Sequence, residues 1–183
     1  MRESLKTALL SGLTAVSVIV MTMPGIAEAK FSDEYKAKYP KNVKTTTSQL
    51  KSGKISTTTN YEVFKSKSGG LSLRVSDLSG IKVAFLTFGY AGNTWRFYDG
   101  MSWGDGKESH DIKLGMKPTR QVFRGGVSEV LAAGINPLDL QKAIVIHAHS
   151  ERNGDEVVMN ASHKRWKEWQ EAVDAAVKLM QEK

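Results

Sequence analysis

Apolar and polar side chains first alternate at Leu71, Leu73 and Val75, with Ser72, Arg74 and Ser76 between them. A period of two places the apolar set on one face of a half-buried strand. Gly69-Gly70 and Ser79-Gly80 bracket it with turn residues. The following run, Ile81-Lys82-Val83-Ala84-Phe85-Leu86-Thr87-Phe88, is apolar on both faces apart from Lys82 and Thr87. That is the pattern of a central strand covered on both sides. After an Ala91-Gly92-Asn93 turn, Thr94-Trp95-Arg96-Phe97-Tyr98 predicts a third strand from its high β-propensity. Turns at Asp99-Gly100 and Asp105-Gly106 precede shorter strands at Ile112 to Leu114 and Gln121 to Phe123.

The texture then changes. Gly126 to Ala133 predicts a short helix with Gly134 as its C-terminal cap, and Asn136-Pro137 opens a second helical turn. Ala143 to Glu151 is a strand that returns through Asn153-Gly154 as Asp155 to Asn160. From Ser162 to about Met180, Trp166, Trp169, Val173, Ala176 and Met180 fall on one stripe opposite Lys167, Glu171 and Lys178, the signature of an amphipathic helix. Strands joined by tight turns, with helices only late, indicate the α+β class. The expected architecture is an antiparallel β-sheet or sandwich with the amphipathic C-terminal helix packed on it.

The two ends read differently. Arg2 and Lys6 precede an uncharged run from Ala8 to Met23, and Pro24-Gly25 breaks it before Ala27-Glu28-Ala29. This is the three-part layout of a cleavable signal peptide covering residues 1–29, with cleavage after Ala29 and a periplasmic or secreted product. The uncharged run falls short of the ~20 residues a spanning helix needs. Residues 30–60 are rich in Lys, Ser and Thr with sparse apolar positions, so a basic flexible linker is expected there, with weak contact to an anionic surface as its further role. Residues 61–183 then form a single domain.

Composition narrows the chemistry. The chain has no cysteine, which excludes disulfides, thiolate metal sites, thiol nucleophiles and a lipid anchor on cysteine. The net charge of +7 is mostly a surplus of five between residues 30 and 60, whereas 61–183 carries a surplus of only two. A nucleic-acid partner is therefore not expected.

Three sets of residues carry candidate chemistry. His147 and His149 share a strand face, and a two-residue turn at Asn153-Gly154 would pair His149 with Val158, His147 with Asn160 and Glu151 with Glu156. Two imidazoles beside carboxylates suit a divalent transition metal such as Zn²⁺, Cu²⁺ or Ni²⁺, given a third ligand from His110 or His163. Arg96, Tyr98 and Trp103 form the second set, an outward aromatic and cationic binding patch. Arg120, Arg124 and the Gly125-Gly126 step into a helix form the third, an anion-binding helix start of low specificity. The loop from Asp99 to Gly106 fails as a calcium site because Met101 and Trp103 stand where oxygens are needed. Ser109-His110-Asp111 fails as a triad because neighbours on a strand point to opposite faces. No His-Glu-x-x-His, Gly-x-Ser-x-Gly or dinucleotide fingerprint occurs.

The expectation is an exported, non-enzymatic binding protein acting on another envelope or secreted protein, as an inhibitor or immunity-type factor would. The alternatives are a metal-binding protein or metalloenzyme centred on His147 and His149, and a small-molecule carrier with its pocket between sheet and C-terminal helix. The burial of Trp166 and Trp169 distinguishes the carrier.

Overall fold

The computed structural model describes residues 30–65 and 70–182. The predicted leader and Gly69 lie outside the described residues. The chain is α+β, and its described residues form ten strands in two antiparallel sheets, with the C-terminal helix packed on the larger one. In chain order the elements are α1 (Lys30–Lys38), β1 (Val43–Gln49), β2 (Ile55–Lys65), β3 (Gly70–Leu78), β4 (Ile81–Gly92), β5 (Gly100–Gly104), β6 (Ser109–Ile112), β7 (Thr119–Phe123), β8 (Gly126–Gly134), α2 (Pro137–Leu140), β9 (Val145–His149), β10 (Glu156–Asn160) and α3 (Trp166–Gln181). The large sheet runs β1-β2-β3-β4-β8-β7 and the small one β10-β9-β5-β6.

The alternating strand forms as expected, and the apolar run forms a central strand, but one covered on a single face, since Ile81 and Phe85 on the other stay exposed. Leu71 pairs with Phe88, Leu73 with Leu86 and Val75 with Ala84, and all six side chains are buried. The α3 stripe also lands on the core, with Trp166, Trp169, Val173 and Ala176 buried against β2, β3 and β4. Lys82 explains its own place in an apolar strand. Its Nζ donates to the carbonyls of Leu179 (2.8 Å) and Glu182 (2.6 Å), capping the C-terminal end of α3 with a cation.

Residues 30–60 are no tether. The Thr and Ser runs become β1 and the first half of β2, paired from Val43↔Tyr61 to Gln49↔Ile55 around a Leu50–Lys54 turn with Gly53 at φ 81°. Threonine is β-branched and suits a pleated edge. The hydroxyls of Thr58 and Ser76 meet across the strands at 3.1 Å. Val43, Thr59, Tyr61 and Val63 supply the buried side of this hairpin. α1 docks beside it through Tyr35, whose ring meets Tyr61 edge-on at 5.5 Å, and through the Lys38–Glu171 ion pair to α3.

Two further expectations fail. Gly126 to Ala133 is not a helix but β8, paired along its length with β4 and β7. Val127, Glu129, Leu131 and Ala133 point inward, so the period is two, and a carboxylate at one inward position hides it from a hydrophobic reading. Thr94 to Tyr98 is not a strand, because Phe97 sits in the left-handed region at φ 58°. That conformation costs a non-glycine residue on the order of 1–3 kcal/mol and ends any ladder.

Candidate functional site

The expected patch of Arg96, Tyr98 and Trp103 does not form. Arg96 is exposed, but Tyr98 and Trp103 are 3% and 8% exposed. Tyr98 packs edge-on against Phe88 and Tyr90 at 5.0 and 5.6 Å, and burial pushes its phenol above the ordinary tyrosine value. Trp103 lies on the inner side of the small sheet with its ring stacked on His110 at 4.2 Å. The alternation assumed a strand through Tyr98, and the left-handed Phe97 breaks its parity, so Arg96 stays out while Tyr98 turns in.

What stands in its place is built around Glu129, whose side chain is fully buried. Its Oε1 accepts the backbone N–H of Arg96 at 2.6 Å and of Phe97 at 2.9 Å. Its Oε2 accepts Arg120 Nε at 3.3 Å, and Arg120 Nη2 reaches the Tyr98 carbonyl at 3.1 Å. A carboxylate in low dielectric is tolerated only when charge and hydrogen bonds satisfy it. Here the donors are the loop's own backbone, so the buried charge fixes the loop. Antiparallel register puts Arg120 directly opposite Glu129, which makes the ion pair a cross-strand pair.

The loop presents a cationic and aromatic ledge. The guanidiniums of Arg152 and Arg120 lie 4.0 and 5.6 Å from the centre of the Phe97 ring, and Trp95 lies 6.4 Å from it. Arg96 pairs with Asp155 at 3.2 Å, and its hydrogen bonds to the Tyr90 hydroxyl and then to Asp155 raise its pKa. Asp99 accepts the N–H of Glu151 at 3.0 Å. Arg152, Arg124 and Lys117 make no ion pair among the described residues. Of the third expected set, Arg120 belongs to the ledge, while Arg124 sits in the turn of a β-hairpin and not at a helix start.

The histidine strand has the expected parity and a different register. His149 faces Glu156 and His147 faces Val158, two residues from the expected pairing, because the connection is a six-residue loop closed by Ser150 N–H to Asp155 O. His147 Nδ1 meets Glu156 Oε1 at 2.5 Å, and His149 packs over Gly100, leaving no room for a Cβ there. His110 and His163 do not join them: His110 stacks on Trp103, and His163 Nδ1 accepts the N–H of Arg165. Among the described residues no group of three or more His, Cys, Asp and Glu side chains is placed to hold a metal ion. Ser102 lies opposite His147 on the neighbouring strand, but no hydrogen bond joins them.

The space between sheet and α3 is filled by Trp166 and Trp169, 5% and 1% exposed, so the carrier pocket expected there does not exist among the described residues. An open cleft of about 540 Å³ lies elsewhere, lined by Trp103, Asp105, His110, Asp139 and Lys142 among others. Asp105 is committed to its own turn: the N–H groups of Glu108 and Lys107 bond its carboxylate and hold its pKa low.

Sequence reasoning missed Glu129, Phe97 and Arg152. The signal for Glu129 was present as a single carboxylate in phase with Val127, Leu131 and Ala133. No protein-family model, curated protein or solved structure matches this chain.

Proposed function

We propose that this chain is an exported, non-catalytic binding protein that grips an acidic partner protein with the ledge formed by Arg96, Phe97, Arg120 and Arg152. The export half of the reading is supported by the leader pattern of residues 1–29. The observation that carries the binding half is a fully buried carboxylate whose hydrogen bonds hold one surface loop in a left-handed conformation beneath two guanidiniums. Strain of that kind is found where a surface is pre-organised for use. Arginine and aromatic side chains are the types that dominate recognition energy. An inhibitor or immunity-type role fits a surface whose work is to occupy another protein.

The test is fluorescence anisotropy with a labelled ten-residue peptide alternating Glu and Thr, against one alternating Lys and Thr. The Glu peptide should bind and the Lys peptide should not. Arg152→Glu combined with Arg124→Glu should weaken binding at least tenfold without moving the melting temperature by more than a degree or two. Equal affinity for both peptides, or an acidic peptide indifferent to the charge reversals, would refute the reading.

A further inference from the structure

We propose that the partner docks as an extended acidic strand paired to β7, so that the six-stranded sheet gains a seventh strand at that edge. The inference rests on the binding reading above and adds the backbone geometry of recognition to it.

β7 is the last strand on its side of the large sheet and pairs with β8 alone. Thr119, Arg120, Gln121 and Val122 are all exposed, Val122 to 77%, so nothing among the described residues covers this edge. Its hairpin turns through two residues, Arg124 and Gly125, between the paired Phe123 and Gly126. Such a turn closes on a hydrogen-bonded pair, and bonded and non-bonded pairs alternate away from it. Counting back, Gln121↔Ser128 and Thr119↔Val130 share the bonded phase. Arg120 and Val122 therefore turn their N–H and C=O groups away from β8, as a row open to another strand.

Edge strands are commonly protected by proline, a bulge or charge. Pro118 stands just ahead of β7, but the strand itself has no proline and no register shift, so from Thr119 to Phe123 charge is its guard. All of that charge has one sign: Lys117 ahead of the strand, Arg120 within it and Arg124 at its turn. Like charges directly opposite destabilise a cross-strand pair. A second copy pairing β7 to β7 is thus disfavoured, and a strand bearing carboxylates is selected. On an added strand every second side chain lies on the face that carries Arg120, with Phe97 and Arg152 beside it.

The experiment uses the full chain and the Glu-Thr peptide in three forms: unmodified, N-methylated at every Glu and N-methylated at every Thr. An added strand turns only alternate N–H groups toward β7. One methylated form should therefore lose at least tenfold in affinity while the other binds like the parent. Amide exchange at Arg120 and Val122 should slow at least tenfold on binding. Val122→Pro, which removes an outward N–H that an edge position tolerates losing, should weaken binding at least tenfold. If that variant misfolds by circular dichroism, the peptide and exchange arms decide. Parent-like binding by both methylated forms, with unchanged exchange, would overturn strand addition and leave the acidic-partner reading standing. A dimer seen by sedimentation that Val122→Pro dissociates would also overturn it. Failure of every acidic peptide to bind, or preference for a single-stranded oligonucleotide of equal length, would remove both.

Discussion

Glu129 and Glu156 are both glutamates bonded to a basic side chain on a neighbouring strand, yet they do opposite amounts of work. Glu129 is sealed in the core, and its partners are one guanidinium and two backbone amides of a surface loop. Glu156 keeps 47% of its side chain exposed and meets only His147, itself on an outer face. Water competes for the second pair at little cost, whereas nothing replaces the first if it is broken. The contrast separates a carboxylate that shapes a site from one that decorates a sheet. It is also why the binding reading follows Glu129 and not the histidines.

The widest test of that contrast is Glu129→Leu. Losing a buried acceptor costs roughly 1–3 kcal/mol for each donor left unsatisfied, while Arg120, a third exposed, can turn back to water. Here the Arg96 and Phe97 amides are orphaned. Urea unfolding should show a loss of that size, and the near-ultraviolet circular dichroism of the Tyr98 cluster should weaken. A loss under 1 kcal/mol would mean that the loop holds itself.

Legibility in the sequence follows the same divide. Leu71-Leu73-Val75, the Ile81–Phe88 run and the α3 stripe were readable because apolar burial decides their conformation, and periodicity records apolar burial directly. The class followed from those elements. β8 was not readable, since the residue that pins it to the site is polar, and its Ala and Glu content carries helix propensity that pairing with β4 overrides. β1 and the start of β2 were hidden for a related reason: Thr-Thr-Thr runs resemble a solvated linker until hydroxyl pairs and a neighbouring strand are present. Of the expected patch of Arg96, Tyr98 and Trp103 only Arg96 stays at the surface. Its neighbours' orientation depended on the φ of Phe97, a quantity no hydrophobic pattern encodes.

A second substitution probes the backbone beneath the ledge. A Cβ at Gly126 would run into the carbonyl oxygen of Gly92, a backbone atom with no freedom to swing aside. Gly126→Ala should cost about 1–3 kcal/mol as the β4–β8 pairing shifts. The equivalent change at Gly134, which has open space, should cost far less. Thermal melts of the two variants rank them directly.

Alkali sharpens the comparison without a mutation. Burial raises the pKa of Tyr98 above its ordinary 10.0, so the folded chain keeps a proton there that the unfolded chain releases. The associated stability is complete below pH 10 and is lost as pH rises through the folded value. Tyr35 and Tyr61 are raised by burial in the same sense and add to the loss. Unfolding midpoints should fall steeply above pH 10, and phenolate absorbance at 295 nm should show tyrosines that ionise only with unfolding. In Glu129→Leu, with its loop released, one more tyrosine should titrate near 10 before the chain unfolds.

The smallest effect is expected on the other side of the contrast. His147→Ala removes the bond to Glu156, an exposed pair worth roughly 0.2–1 kcal/mol. A double-mutant cycle with Glu156→Ala isolates that coupling from the packing each side chain contributes. The measured term should stay under 1 kcal/mol and shrink in high salt, and acidic-peptide binding should not change in either single variant. A coupling above 2 kcal/mol, or loss of peptide binding in His147→Ala, would place the histidine face on an equal footing with the Glu129 corner. The recognition surface would then have to be redrawn to include both.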